Sequence, residues 1–210
     1  MKDFIRKTWK FLWHDDSVLS WIVNIIIIFL LIKFIIYPGV GGIMGTQFPV
    51  VAVVSESMEH SLNEHEDRYF MCGNTFEERI SFEFEEWWDI CGEWYEEEVG
   101  ITIADFENFP FQNGLYKGDI IISTGRDIED IEVGDVIIFE SNRPIPIIHR
   151  VVEKVEGEEV YVKTKGDNNR GYEQSLGEEK VTEDRILGVA NYRVPYLGYM
   201  RIYASKVLGF

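Results

Sequence analysis

GDIIISTGRDIEDIEVGDVIIFESNRPIPIIHRVVEKVEGEEVYVKTKGDNN, residues 118–169, alternates short Ile- and Val-rich runs with turn residues. Residues 119–123, 135–140, 145–155 and 160–165 read as strands, because β-branched side chains suit a pleated surface. Gly-Asp, Asn-Arg-Pro, Glu-Gly-Glu and Gly-Asp-Asn-Asn separate them, and these residues supply turn conformations. Outward from this block, residues 48–54 (FPVVAVV) and 186–194 add two more strands. The pattern predicts a mainly β protein, an antiparallel sheet or partly closed barrel rather than a βαβ fold.

Upstream lies VLSWIVNIIIIFLLIKFIIY, residues 18–37. About 20 apolar residues in a helix cross a hydrocarbon core of roughly 30 Å. Lys2, Arg6, Lys7 and Lys10 precede it, while Pro38, Gly39, Gly41 and Gly42 follow. The positive-inside tendency therefore puts residues 1–17 in the cytoplasm and everything after residue 37 outside, in a single-pass protein of the cell membrane. The run is too long for the core of a cleaved leader, and no convincing small-x-small site follows. Lys33 is close enough to the outer end to snorkel. Asn24 faces a partner helix or stays wet near the inner interface.

The 210 residues carry a formal charge of −17, which excludes nucleic acid as a partner, since phosphate binding needs a basic face. Much of the excess sits between Glu59 and Pro110, where 16 acidic residues face only Arg68 and Arg79. Within that stretch Ile80, Phe84, Trp87, Trp88, Cys91, Tyr95 and Val99 recur at helical spacing, which predicts an amphipathic helix packed by an aromatic stripe. Residues 63–110 thus read as an acidic, partly helical cap inserted between 38–62 and 111–210, the two parts of a β-rich catalytic domain. Cys72 and Cys91 both lie in the cap. Outside the cytosol the pair is a candidate disulfide and inside it free thiols or metal ligands, and the sequence leaves the pairing open. The segment 195–210, PYLGYMRIYASKVLGF, is too short to span and either docks on the sheet or lies at the membrane interface.

Three short segments carry chemistry together that none carries alone. Ser55-Glu56-Ser57-Met58-Glu59 follows a strand; Ile148-His149-Arg150-Val151 places an imidazole inside one; Lys165-Gly166-Asp167-Asn168-Asn169 is an acidic turn. Singly they read as a turn serine, a buried structural histidine and a hairpin. In this order they offer a nucleophile, a base to take its proton and a carboxylate to orient that base.

With Val194-Pro195-Tyr196-Leu197-Gly198-Tyr199, these segments resemble the ordered signature boxes of type I signal peptidases, in the archaeal and endoplasmic-reticulum branch. The resemblance covers the anchor and most of the β domain, but not the acidic segment. It implies a membrane-anchored serine endopeptidase that removes signal peptides from exported preproteins at small-x-small sites. Ser57 is then the nucleophile and His149 the general base, where the bacterial branch has a lysine. Ser55 assists the backbone amide of Ser57 in the oxyanion hole. The leader would lie along residues 50–55 and 144–148 as an added strand. No metal or cofactor is implied; the expected partners are preproteins, the lipid bilayer and the protein-export channel.

The chain also departs from the family. A second aspartate six residues after the first is Glu173 here, so Asp167 and Glu173 both stand as the orienting carboxylate. The family's proline after Ser-Met-Glu is His60, a rival base three residues from Ser57. Two other readings follow from the departures and the acidic loop. One is a catalytically silent relative that binds through its cap. The other is a metal protein using His60, Glu64, His65, Glu66 and Asp67, whose spacing fits no standard zinc site.

Overall fold

The computed structural model describes residues 2–65, 68–200, 202 and 203. It divides after Ile43 into two units. In the first, α1 (Lys2–His14) precedes α2 (Val18–Leu31), whose N-terminus is capped by Ser17 accepting from the Ser20 amide. A π-helical turn at Ile32–Ile36 leads into α3 (Tyr37–Met44), so one apolar helix runs from Val18 to Met44. The helix thus continues through Pro38 and the glycines instead of stopping at Tyr37. Pro38 has no amide hydrogen to donate, and the wider π turn just before it re-pairs the backbone, with Tyr37 N–H reaching Ile32 O. Its apolar side chains point outward almost throughout, as a lipid-facing helix requires.

The second unit is built on a curled seven-stranded antiparallel sheet. Its strands are β1 (Val50–Ala52), β5 (Ile120–Thr124), β6 (Val136–Phe139), β7 (Ile147–Val155), β8 (Tyr161–Lys165), β9 (Val181–Thr182) and β10 (Ile186–Val194). They are ordered β1-β5-β10-β6-β7-β8-β9. All six strands read from the sequence are present; β9, only two residues long, carries too little pattern to read. β6 is buried at every position. Alternation sends Ile137 and Phe139 into a core with Val151, Val162 and Val189, and Val136 into another with Val53, Met58 and Leu115. Register shifts in the β10 and β7–β8 pairings mark bulges, which bend and curl a sheet into a half-barrel.

The acidic insertion has its own core. A small sheet of β2 (Asn63–His65), β3 (Arg68–Met71) and β4 (Asn74–Phe76) meets α4 (Phe84–Val99), and a short α5 (Ile103–Phe106) follows. Glu86 accepts from the Glu83 amide at the start of α4, and Gly100 ends it in the left-handed conformation. Trp87, Trp88, Cys91 and Tyr95 are buried as the stripe predicts, with Met71, Ile101 and Phe106. Ile80 lies before the helix and is exposed. Val152 of β7 completes this cluster, so insertion and barrel share a packed contact. Cys72, in the β3–β4 turn, is disulfide-bonded to Cys91 of α4.

At the C-terminal end the Gly198 amide donates to Gly118 O, and the Tyr199 ring covers Gly118. Residues 201 and 204–210 of that segment lie outside the described residues, as do Glu66 and Asp67 of the acidic loop.

Candidate active site

Ser57 sits in the turn after β1, a turn tied at several points. Asn168 N–H donates to Ser57 O at 2.8 Å, and Leu115 N–H to Met58 O at 2.8 Å. His149 enters from the second half of the chain on β7. Its Nε2 lies 2.9 Å from Ser57 Oγ, and Ser55 Oγ lies 3.2 Å from Ser57 Oγ on the other side. Ser55 is exposed and Ser57 half-buried, while His149 is only 2% exposed. The hydroxyl thus meets solvent while the imidazole is shielded.

The carboxylate against His149 Nδ1 belongs to Glu178. Glu178 is fully buried, and its other oxygen accepts the Glu173 amide at 2.5 Å. A carboxylate there fixes the tautomer, with the proton on Nδ1 and the lone pair of Nε2 toward the serine. Glu173 contributes backbone to this arrangement, and its own side chain is exposed and accepts from Ser175. Sequence reasoning missed Glu178 because it lies 11 residues beyond Asp167, past a 3-10 turn at Gln174–Leu176 and a left-handed Gly177. The available signal was Leu-Gly-Glu, an apolar anchor and a reversing glycine ahead of an acid.

Asp167 stands elsewhere. Arg150 binds it through two nitrogens, Nε to Oδ1 at 2.9 Å and Nη2 to Oδ2 at 2.7 Å. Tyr95 donates to Oδ1 at 3.1 Å and His60 Nε2 lies 3.0 Å from Oδ2. The remaining Arg150 hydrogens go to the carbonyls of Pro110, Phe111 and Gly134, and its guanidinium lies over the Phe106 ring. Burial alone would raise the Asp167 carboxyl, but the Arg150 charge and these hydrogen bonds hold it well below the usual carboxylate range. Burial likewise pushes the His60 imidazole down, so it is neutral and donates to Asp167 while its ring stacks on Trp87 at 3.6 Å. The rival base is therefore engaged with Asp167 and Trp87 rather than with Ser57.

Gly166 joins the two groups. A Cβ there would lie 2.8 Å from each of His149 Nε2, Ser57 O and Asn169 Nδ2. Only glycine allows the Asp167 turn to press so closely on the serine–histidine pair. The adjacent Lys165 is fully buried, its ammonium near the carbonyls of Gly166 and Asp167 and over the rings of Trp94 and Tyr95. Burial pushes it down to about 8 against the pull of Asp167 and Glu178.

Ser57 and His149 open onto a cavity of about 310 Å³, walled by residues 52–55 on one side and 143–148 on the other. A roomier hollow of about 480 Å³ beside Gly45, Arg126, Asp130 and Glu183 shares no residue with it. Ser57 and His149 both line the smaller one. Val54, Ile145 and Leu176 make its lining largely apolar, and Asn169 and Glu173 line it as well.

No protein-family model matches the chain. Curated proteins do. The signal peptidase complex catalytic subunit SEC11 of Zygosaccharomyces rouxii is 37% identical over 122 residues, which is 51% of this chain and 72% of the relative. SEC11 of Colletotrichum graminicola is 34% identical over 96 residues, 43% of this chain and 56% of the relative. SEC11 of Lachancea thermotolerans is 37% identical over 99 residues, 43% of this chain and 58% of the relative. The chain therefore spans little more than half the length of the latter two relatives.

Proposed function

The chain belongs to the family of SEC11-type signal peptidase catalytic subunits, and from that premise we propose that it is a membrane-anchored serine endopeptidase removing signal peptides from exported preproteins. The observation that carries this reading is the continuous relay from Ser57 through His149 to Glu178 at the mouth of an apolar groove. The leader's end lies extended between residues 52–55 and 143–148, where a small cavity favours small side chains. Ser57 Oγ attacks the scissile carbonyl as His149 Nε2 takes its proton, and Glu178 stabilises the imidazolium that forms. The Ser57 amide and the Ser55 hydroxyl receive the developing oxyanion, a contribution worth about 10²–10³ in rate per donor. His149 then protonates the leaving amine, and water releases the acyl-enzyme.

On this reading residues 18–37 lie within the bilayer, residues 1–17 face the cytoplasm, and 38–62 with 111–210 form the catalytic domain outside it. Residues 63–110 form the cap. The partners are preproteins, the lipid bilayer, the protein-export channel and, by analogy with the named relatives, further subunits of a complex. Confinement to one membrane raises the effective concentration of enzyme and substrate.

Cleavage of a membrane-inserted preprotein tests the reading. Ser57→Ala and His149→Ala are expected to abolish cutting, and Glu178→Gln to slow it by about 10³–10⁴ through the wrong tautomer. Glu173→Gln is expected to cut nearly as fast as the parent chain. A Ser57→Ala chain that cuts normally would defeat the reading and leave the cap as a binding module.

A further inference from the structure

Four of the first ten residues are basic, Lys2, Arg6, Lys7 and Lys10, against Asp3 alone, in a chain of net charge −17. At 100° per residue, α1 places Arg6, Lys7, Lys10 and His14 within an arc of about 100°. All four are exposed. Trp9 and Trp13 flank that arc one turn apart, with ring centroids 5.6 Å from each other, and are 60% and 69% exposed. Large exposed indoles beside exposed cations call for a surface that is apolar and anionic at once.

Two hydrogen bonds say where that surface is. Ser20 Oγ donates to Phe11 O at 2.6 Å, and Asn24 Nδ2 donates to Leu12 O at 2.8 Å. Both acceptors are among the last carbonyls of α1, which a helix leaves unpaired. Both donors stand in the first two turns of the apolar helix Val18–Met44. Asn24, the polar residue out of place in an apolar span, is thus a fastener, and it locks the corner between α1 and α2. The end of α1 is held beside the opening turns of the span, at the depth where Trp, Lys and Arg meet lipid head groups.

We propose that α1 lies in the membrane surface and binds anionic phospholipid head groups through Arg6, Lys7 and Lys10, with Trp9 and Trp13 seated at head-group level. This rests on reading residues 18–37 of the helix Val18–Met44 as a membrane span. The corner then sets the depth and rotation of that span, which apolar length alone does not determine. An acidic protein partner would satisfy the cations, but it would not explain two indoles held at the start of the apolar helix.

Amide hydrogen exchange of the full chain in nanodiscs tests the assignment. Phosphatidylcholine discs with and without phosphatidylglycerol are compared, and α1 and Val18–Met44 are followed in the same sample. We expect α1 amides to exchange at least about tenfold more slowly with the anionic lipid, since each cation near such a surface adds to binding. The combined Arg6→Gln, Lys7→Gln and Lys10→Gln chain should lose that difference while Val18–Met44 stays equally protected in both discs. Equal exchange of α1 in the two lipids overturns the inference, as does a difference that survives the triple substitution. Protection that appears only when a protein partner is added overturns it too. Free exchange across Val18–Met44 in every disc would instead defeat the span reading beneath it.

Discussion

His149 is gripped at both ring nitrogens by groups far apart in the chain, Ser57 on Nε2 and Glu178 on Nδ1. Gly166 presses on the same ring from a third direction. Gly166→Ala must move either the imidazole or the Ser57 carbonyl, because a Cβ cannot rest 2.8 Å from both. A displacement of about 1 Å in such a constellation costs roughly 10² in rate. The expected result is a folded protein whose kcat on a preprotein falls about 100-fold with little change in KM. The contrast between Glu178 and Asp167 is sharper in stability than in rate. Asp167→Asn takes a buried partner from Arg150, and breaking a buried pair destabilises by about 3–5 kcal/mol. Chemical unfolding should show that loss, whereas Glu178→Gln should mainly lose activity. Ser57 and His149 were legible as candidates only through the order of the three segments and the family resemblance they carry, which also named Ser55. The sequence did not point to Glu178, since chain spacing does not reveal which of three nearby acids a turn will fold inward.

β7 carries His149 and Arg150 side by side, and strand alternation sends neighbours to opposite faces. One face serves the groove; the other serves the cap, through Arg150 and Val152. The cap answers with Tyr95 on Asp167, Trp87 on His60 and the Cys72 amide on Asn168 Oδ1 at 3.2 Å. The insertion is therefore bonded into the turn that abuts the serine. Replacing both cysteines by serine removes a cross-link spanning 19 residues. Loop entropy of that size is about 3 kcal/mol, or a fall of roughly 6–12 °C in Tm for a protein this long. Scanning fluorimetry with and without reductant checks it, and cleavage should weaken in parallel because Asn168 loses a support. The helix of the cap was legible from its aromatic spacing. Its small sheet was not, because Asn63–His65 and Arg68–Met71 are only three and four residues long, too short for an alternation to show, and take their shape from the packing around Met71.

Across the whole molecule, Lys165 gives stability an unusual pH dependence. The folded chain releases this proton near pH 8, while an unfolded lysine holds it to about 10.4. Between those values the unfolded state binds more protons, so this residue makes stability rise with pH. Thermal melts from pH 8 to 10 should show the parent chain gaining on Lys165→Met as pH increases. At the acid end the sign agrees but the groups differ. Asp167 is held deprotonated in the fold, so its contribution is lost as pH falls below about 4, and neutral His60 adds a loss below about 6.5. Six of the seven strands of the main sheet were readable because each carries its own pattern; two-residue β9 and the strand order were not. Ser57 and His149 are 92 residues apart, with an entire disulfide-closed subdomain between them, and Glu178 comes 29 residues later still. Contacts that close such long loops form late, after the local structure that supports them. A chain halted before Glu178 therefore holds Ser57 beside His149 with nothing yet to grip the far nitrogen of the ring.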